Sequence, residues 1–273
     1  MSVCTLEIID DHALSHRFKY AVFDFDGTLS LIRQGWQQIM IPYFTDEMRN
    51  TPKGKERTEE DVAKEAREFI YVNTGKQTIY QCIELAERIN AMGGHALDPQ
   101  AYKDEYIRRL LIAIDGRLTG LENGTLAADD LLVPGSRELL TMLRRHNVAM
   151  YLASGTDHDH VLREASLLRV TEFFDGHIYG AQRDYKTFSK KMVIDRIINE
   201  NHLAGDALVG FGDGYVEIEN IRSVEGFAVG VASDEAHRTG IDDWKRERLI
   251  RAGANIIIPD FRNVPELEAY LFG

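Results

Sequence analysis

Tyr20-Ala21-Val22-Phe23-Asp24-Phe25-Asp26-Gly27-Thr28-Leu29-Ser30 is the stretch on which the rest of the chain depends. Its first four residues form an apolar run that reads as a short buried strand, whose carboxyl end delivers Asp24 and Asp26 into a glycine turn. Residues two apart in a strand face the same side, so the two carboxylates repel one another unless a cation or a shared proton lies between them. A hard divalent ion such as Mg²⁺ meets that need, because it takes oxygen ligands, keeps several waters and usually bridges one or two carboxylates to a phosphate. Gly27 permits close backbone approach, and the Thr28 hydroxyl is able to hydrogen-bond a phosphate oxygen. A strand that merely ends in an acidic turn is the plain alternative, but the whole Asp-Phe-Asp-Gly-Thr-Leu run after an apolar strand is far narrower than a single Asp-Gly.

The 273 residues suffice for one large domain or two smaller ones, and 44% hydrophobic with 28% charged residues is ordinary for a folded globular chain. A formal charge of −12, from 44 acids against 32 bases, argues against a nucleic-acid partner, which calls for a basic surface. Residues 1–11 contain neither a basic start nor a long apolar segment, so neither a signal peptide nor a membrane anchor is expected. Cys4 and Cys82 are the only cysteines, which fits a reducing compartment and makes the cytoplasm the expected location.

Residues 31–42 read as a linker and a short helix that Pro42 interrupts. Beyond them Val62, Ala66, Phe69 and Ile70 recur at helical spacing, as do Ile79, Ile83, Ala86 and Ile89, and then Tyr102, Tyr106, Leu110 and Ile114. Gly93-Gly94 and Asp98-Pro99 punctuate these helices, with Asp98 suited to an N-cap and Pro99 to the first helical position. The regime changes at Val133-Pro134-Gly135. A helix carrying Leu139, Leu140 and Leu143 leads into a strand at 148–153, followed by a weak strand at Ile178-Tyr179, a helix at 192–198 and strands at 207–211, 227–231 and 256–258. Such alternation signals an α/β fold, a Rossmann-like parallel sheet with helices on both faces. The first strand belongs to this sheet, since alone before a long helical stretch it could not satisfy its own edges. The expected organisation is therefore a core of residues 1–32 and 131–273 with an all-helical cap inserted at 33–130.

In open α/β sheets ligands bind beyond the carboxyl ends of the strands, and the polar clusters follow strands here. Ser154-Gly155-Thr156 offers a hydroxyl and backbone N–H groups in a glycine turn, a phosphate-binding nest. Gly210-Phe211-Gly212-Asp213-Gly214-Tyr215-Val216-Glu217 supplies a second pair of acids, with Glu217 placed to face the same way from the first turn of a helix. A dinucleotide-binding reading of its glycines places the third one wrongly for Gly-x-Gly-x-x-Gly and puts an acid where pyrophosphate would be repelled. Chemistry at a phosphate beside several carboxylates needs a cation. Ser189 is a plausible N-cap that sets Lys190 in the first turn of an apolar-faced helix, with Lys186 as the other candidate. In the helical segment Arg33, Gln34, Trp36, Lys76 and Thr78 are candidate substrate contacts. Asn73-Thr74-Gly75-Lys76-Gln77-Thr78 lacks the upstream glycine of a P-loop, Ile70 standing in the corresponding region, and reads equally as a polar connecting loop. His158 and His160, two apart at a helix start, are read as exposed rather than as transition-metal ligands.

Taken in chain order, Asp24-x-Asp26-Gly27-Thr28, Ser154 after a strand, a lysine near a helix start, and Gly212-Asp213 with an acid four residues on resemble the four motifs of the haloacid dehalogenase superfamily. Glu217 stands where many members carry aspartate. The resemblance implies a phosphatase acting on a small phosphorylated metabolite, with Asp24 as nucleophile, Asp26 as general acid/base and Lys190 offsetting charge. It implies phosphate binding by Thr28, Ser154, Gly155 and Lys190. Mg²⁺ would be held by Asp24, the Asp26 backbone carbonyl and Asp213, with Glu217 either a direct ligand or one acting through water. A halide leaving group needs no proton, so Asp26 argues against dehalogenation. A phosphomutase, or a phosphonate hydrolase using a cap lysine, is the alternative within the superfamily. A nucleotide-dependent oxidoreductase is the alternative outside it.

Overall fold

The computed structural model describes residues 6–11, 14–201 and 205–273. Cys4 lies outside them, and Cys82 is a buried free thiol. In chain order the elements are β1 (Glu7–Ile8), β2 (Tyr20–Phe23), α1 (Gln37–Arg49), α2 (Glu59–Val72), α3 (Thr78–Ala91), α4 (Pro99–Glu122), α5 (Ser136–Arg145), β3 (Ala149–Asp157) and α6 (His158–Leu167). There follow β4 (Ile178–Ala181), α7 (Lys190–Glu200), β5 (Leu208–Gly212), α8 (Tyr215–Arg222), β6 (Phe227–Val231), α9 (Asp243–Arg251), β7 (Ile256–Ile258) and α10 (Val264–Phe272).

The strands form one sheet in the order β1-β7-β6-β5-β2-β3-β4. Six strands run parallel, and β1 adds an antiparallel edge that the sequence had not signalled. Its two residues are too few to show a period, and their pairing is set by contact with β7. The interior strand β2 pairs with β3 on one side and β5 on the other, so the order of connection reverses beside it. A parallel sheet opens a crevice at such a reversal, beyond the carboxyl ends of its strands.

Alternate side chains of β2 serve opposite faces. Val22 packs with Tyr151, Ile194, Ile197, Ile218 and Leu249, apolar residues that include the inner faces of α7, α8 and α9. Phe23 turns the other way, stacks on Phe211 at 4.7 Å and meets Phe174 edge-on, while Phe211 meets Phe261. Both faces of β2 are thus covered, which is why it reads as an unbroken apolar run.

By compactness the chain divides into two units, one running up to Gln34 and from Arg117 to Gly273, the other spanning Gly35–Gly116. The second unit is helical, built from α1, α2, α3 and the first part of α4, with Phe44 stacked on Phe69 and Arg88 over the Phe69 ring. Its limits differ from the expected 33–130 because α4 is a single helix that continues past Gly116, and no composition change marks that point. Asp98 accepts a hydrogen bond from the Gln100 N–H at 2.8 Å, satisfying one donor at the start of α4. Pro42, expected to interrupt a helix, lies within α1. An interior proline removes one backbone hydrogen bond and costs about 3 kcal/mol. Burial of Met40, Tyr43, Phe44 and Met48 along the same helix offsets that loss.

Candidate active site

The turn after β2 is closed by its own backbone and clamped by two neighbouring loops. Asp24 donates its N–H to the Phe211 carbonyl at 2.9 Å, and Ser30 and Gly27 close the turn through Phe25 O and Ser30 O. Gly27 has φ +80°, and a Cβ there would stand 2.2 Å from Asp213 Oδ2, so glycine is required both by conformation and by space. The Ser233 hydroxyl donates to the Gly27 carbonyl at 3.0 Å. Thr28 is fully buried; its hydroxyl accepts the Asp213 N–H at 3.0 Å and lies 3.4 Å from Asp213 Oδ1. The hydroxyl expected to meet phosphate links the first acidic turn to the second.

Asp24 sits buried at the bottom of this arrangement with its carboxylate 2.8 Å from Lys190 Nζ. Lys190 opens α7, whose N-cap Ser189 accepts the Met192 N–H at 3.1 Å. The lysine also forms an ion pair with Glu217, buried in the first turn of α8. Gly212 makes room for that acid, since a Cβ there would meet the Glu217 side chain at 2.6 Å. Burial raises the Asp24 carboxyl to about 7, with Lys190 opposing the rise and Asp213 adding to it. Lys186, by contrast, is exposed in a turn beside the Tyr185 ring. Glu217, expected as a metal ligand or a water-mediated one, is engaged with Lys190, and its Oε2 is buried with no hydrogen-bond partner among the described residues.

Asp26 is held by different groups. Its Oδ2 accepts the Thr156 hydroxyl at 2.8 Å and stands 3.4 Å from the Ser154 hydroxyl. Its Oδ1 lies 4.0 Å from Arg33 Nε and has no hydrogen-bond partner among the described residues. Arg33 itself is buried and forked onto Glu164 at 2.7 and 3.1 Å. Burial raises the Asp26 carboxyl to about 6, Arg33 opposing the rise and Glu164 adding to it, although a quarter of the side chain (25%) meets solvent. Arg33, expected among the cap contacts, therefore belongs to the sheet unit and to Asp26.

The Ser154-Gly155 segment is not a turn. Strand β3 continues through it to Asp157, which pairs with Ala181 after a register shift, so the expected nest of N–H groups is replaced by extended backbone. The same extension brings Thr156 to Asp26, a contact the glycine-turn reading missed. Asp213 pairs with Lys245 Nζ at 2.8 Å, and Lys245 pairs again with Glu235 at 2.6 Å. Neither residue was expected. Glu235 was within reach of the rule already applied, since it follows the carboxyl end of β6, whereas Lys245 lies in Asp243-Trp244-Lys245-Arg246-Glu247-Arg248, where nothing separates it from its charged neighbours.

In the helical unit Trp36 is half-buried immediately before α1, and Lys76 is exposed with Nζ 3.0 Å from Asn73 Oδ1. Thr78 opens α3. In the sheet unit Gln34 accepts hydrogen bonds from Arg117 through its carbonyl at 2.8 Å and its side chain at 3.0 Å. His158 opens α6 with its Nδ1 buried, and His160 is held below the ordinary histidine range by burial. Gly210 and Gly212 lie inside β5, packed against Ile221 and Glu217, which removes them from any phosphate-cradling loop. No helix among the described residues is long and apolar enough to cross a membrane.

Solved structures share this fold. A predicted phosphoglycolate phosphatase from Haemophilus somnus is 16% identical with a TM-score of 0.59, the match covering 92% of this chain and 98% of that one. A β-phosphoglucomutase from Clostridium difficile is 15% identical at 0.59, covering 93% and 97%. A predicted phosphatase from Clostridium acetobutylicum is 18% identical at 0.57, covering 92% and 97%. No curated protein matches the chain. The family model for haloacid dehalogenase-like hydrolases matches residues 18–224, a span that takes in Asp24, Asp26, Lys190, Asp213 and Glu217. With that span covering most of its length, and with an α/β sheet that gathers those five side chains beyond its strand ends, the chain belongs to the haloacid dehalogenase-like hydrolase family.

Proposed function

We propose that the protein hydrolyses a small phosphomonoester through a phosphoryl group carried on Asp24. The observation that supports this most is the separate seating of the two acids: Asp24 on Lys190 at 2.8 Å, Asp26 on Thr156 at 2.8 Å. A nucleophile and a proton-transfer group need different environments, and these carboxyls, two residues apart, have them. Asp24 attacks phosphorus, forming its own O–P bond as the ester P–O bond breaks, while Asp26 gives its proton to the departing oxygen. Asp26, now a carboxylate, takes a proton from water as that water attacks the same phosphorus, and Asp24 is released. Lys190, rooted at a capped helix start, holds Asp24 in place and offsets charge where the phosphoryl group arrives.

The residues present fit a hard divalent cation. Their donors are carboxylate oxygens, Asp26 Oδ1 and Glu217 Oε2 are buried without a hydrogen-bond partner among the described residues, and four carboxyls (Asp24, Glu217, Asp213 and Glu235) face two lysines. Among the described residues no three acids form a ready-made cation site. Asp24, the Asp26 backbone carbonyl and Asp213 would hold Mg²⁺, which supplies charge neutralisation between carboxylate and phosphate. The test is release of phosphate from an aryl phosphate with and without EDTA. Magnesium-dependent release is expected, and undiminished release in excess chelator would overturn the metal assignment.

We propose also that the helical unit selects the substrate, with Trp36 and Lys76 as its contacts, because the acids and lysines described deal only with a phosphoryl group and not with what it is attached to.

A further inference from the structure

Lys245 is buried, yet nothing in the proposed chemistry requires it. It lies in the first turn of α9, where its N–H is taken at 3.0 Å by the N-cap Asp242, so the root of the side chain is fixed. Its ammonium stands 2.8 Å from Asp213 Oδ2 and 2.6 Å from Glu235 Oε1. Both acids crowd Gly27, where a Cβ would come within 2.2 Å of Asp213 Oδ2 and 3.1 Å of Glu235 Oε1. The site thus contains two lysines that each bridge two acids, Lys190 over Asp24 and Glu217, Lys245 over Asp213 and Glu235. Only the first touches the residue assigned to attack phosphorus.

A resident cation on Asp213 has a definite electrostatic effect. It prevents Asp213 and Glu235 from repelling each other beside the turn, and it takes up part of the negative charge that would otherwise draw a divalent ion. We infer that Lys245 and Glu235 form a positioning pair that holds Asp213 and sets how tightly the site binds Mg²⁺, Lys245 weakening that binding and Glu235 strengthening it. The inference rests on the metal assignment made above and adds two residues to it. With both present the Asp213 carboxylate is held in place and only partly neutralised, which keeps the cation exchangeable.

The two single substitutions carry opposite expectations, which separates this role from a merely structural one. Mg²⁺ is titrated calorimetrically into the full chain without substrate. A unit charge about 5 Å from a divalent ion shifts its affinity by at least about tenfold even at the dielectric of bulk water, and by more at an effective dielectric near 20. Lys245→Met is expected to bind Mg²⁺ more tightly by that factor, Glu235→Gln more weakly, and the double variant close to the unaltered protein. Equal weakening in both single variants, or no change in either, would overturn the inference. If Lys245→Met does not fold, Glu235→Gln decides alone: weaker binding upholds the pair, unchanged or tighter binding refutes it. Absence of binding in both the unaltered protein and Lys245→Met also refutes it. Phosphate release measured on the same samples then shows separately whether the hydrolase reading survives.

Discussion

Lys190 and Asp24 are 166 residues apart in sequence and 2.8 Å apart in the fold, both buried. The contact is made by two independent local devices. The carboxyl end of β2 points Asp24 into the crevice, and the Ser189 cap starts α7 so that Lys190 projects from its first turn. Neither device involves the other, and the parallel sheet brings them together.

Removing that lysine should be costly to turnover in a way that removing its neighbour is not. Loss of a preorganised charge at a phosphoryl group typically lowers turnover by on the order of 10² to 10³. Lys190→Ala is expected to approach that loss in kcat at saturating Mg²⁺, and Lys186→Ala, exposed beside Tyr185, to fall well short of it. Circular dichroism establishes that both are folded. A crippled Lys186→Ala with an active Lys190→Ala would reverse the assignment.

The Asp24 carboxyl should make the metal-free protein sensitive to pH. In the folded state it keeps its proton up to about 7, whereas in an unfolded chain an aspartate loses it at about 3.9. The folded state therefore binds more protons in that interval. The stability this group contributes is fully present below about pH 4 and is lost as pH rises through 7. With EDTA present, the melting temperature of the unaltered protein should fall more steeply between pH 5 and pH 7.5 than that of Asp24→Asn, which cannot titrate there. Parallel curves would show that burial of Asp24 carries no such penalty.

Thr156 should tune Asp26. Its hydroxyl donates to the carboxylate and favours the charged form, so Thr156→Val is expected to raise the pH at which Asp26 loses its proton. The basic limb of the kcat profile, where the general acid is no longer protonated, then moves to higher pH. A hydrogen bond to a charged group is worth about 1.5–3 kcal/mol, so the limb should move by about one to two pH units. A smaller kcat with an unmoved basic limb would make Thr156 a packing residue only.

What the sequence disclosed was what local pattern determines. The apolar run before Asp24, the serine before Lys190 and the strand before Asp213 are short signals complete within a few residues, and they placed three charged groups at strand ends or a helix start. The reading of Ser154-Gly155 as a turn went wrong because strand pairing with β4 extends β3 past the glycine, a long-range effect invisible in the segment. The contact of Thr28 with Asp213 is not legible in the sequence, because it joins two turns 185 residues apart. Arg33 carried no mark of its pairing with Glu164, and Lys245 none of its pairing with Asp213, since a buried ion pair is defined by two distant residues at once.

Whether Asp24 carries the phosphoryl group is tested by capture of that adduct. The protein is mixed with a ³²P-labelled aryl phosphate and Mg²⁺, quenched in acid and mapped by peptide. An aryl leaving group needs little help from a proton, so Asp26→Asn should still be phosphorylated, and it should accumulate the adduct because the base for the second step is gone. Label is expected on Asp24 alone, more of it in Asp26→Asn than in the unaltered protein, and none in Asp24→Asn. Label on any other residue, or an Asp24→Asn variant that releases phosphate at an undiminished rate, would contradict it.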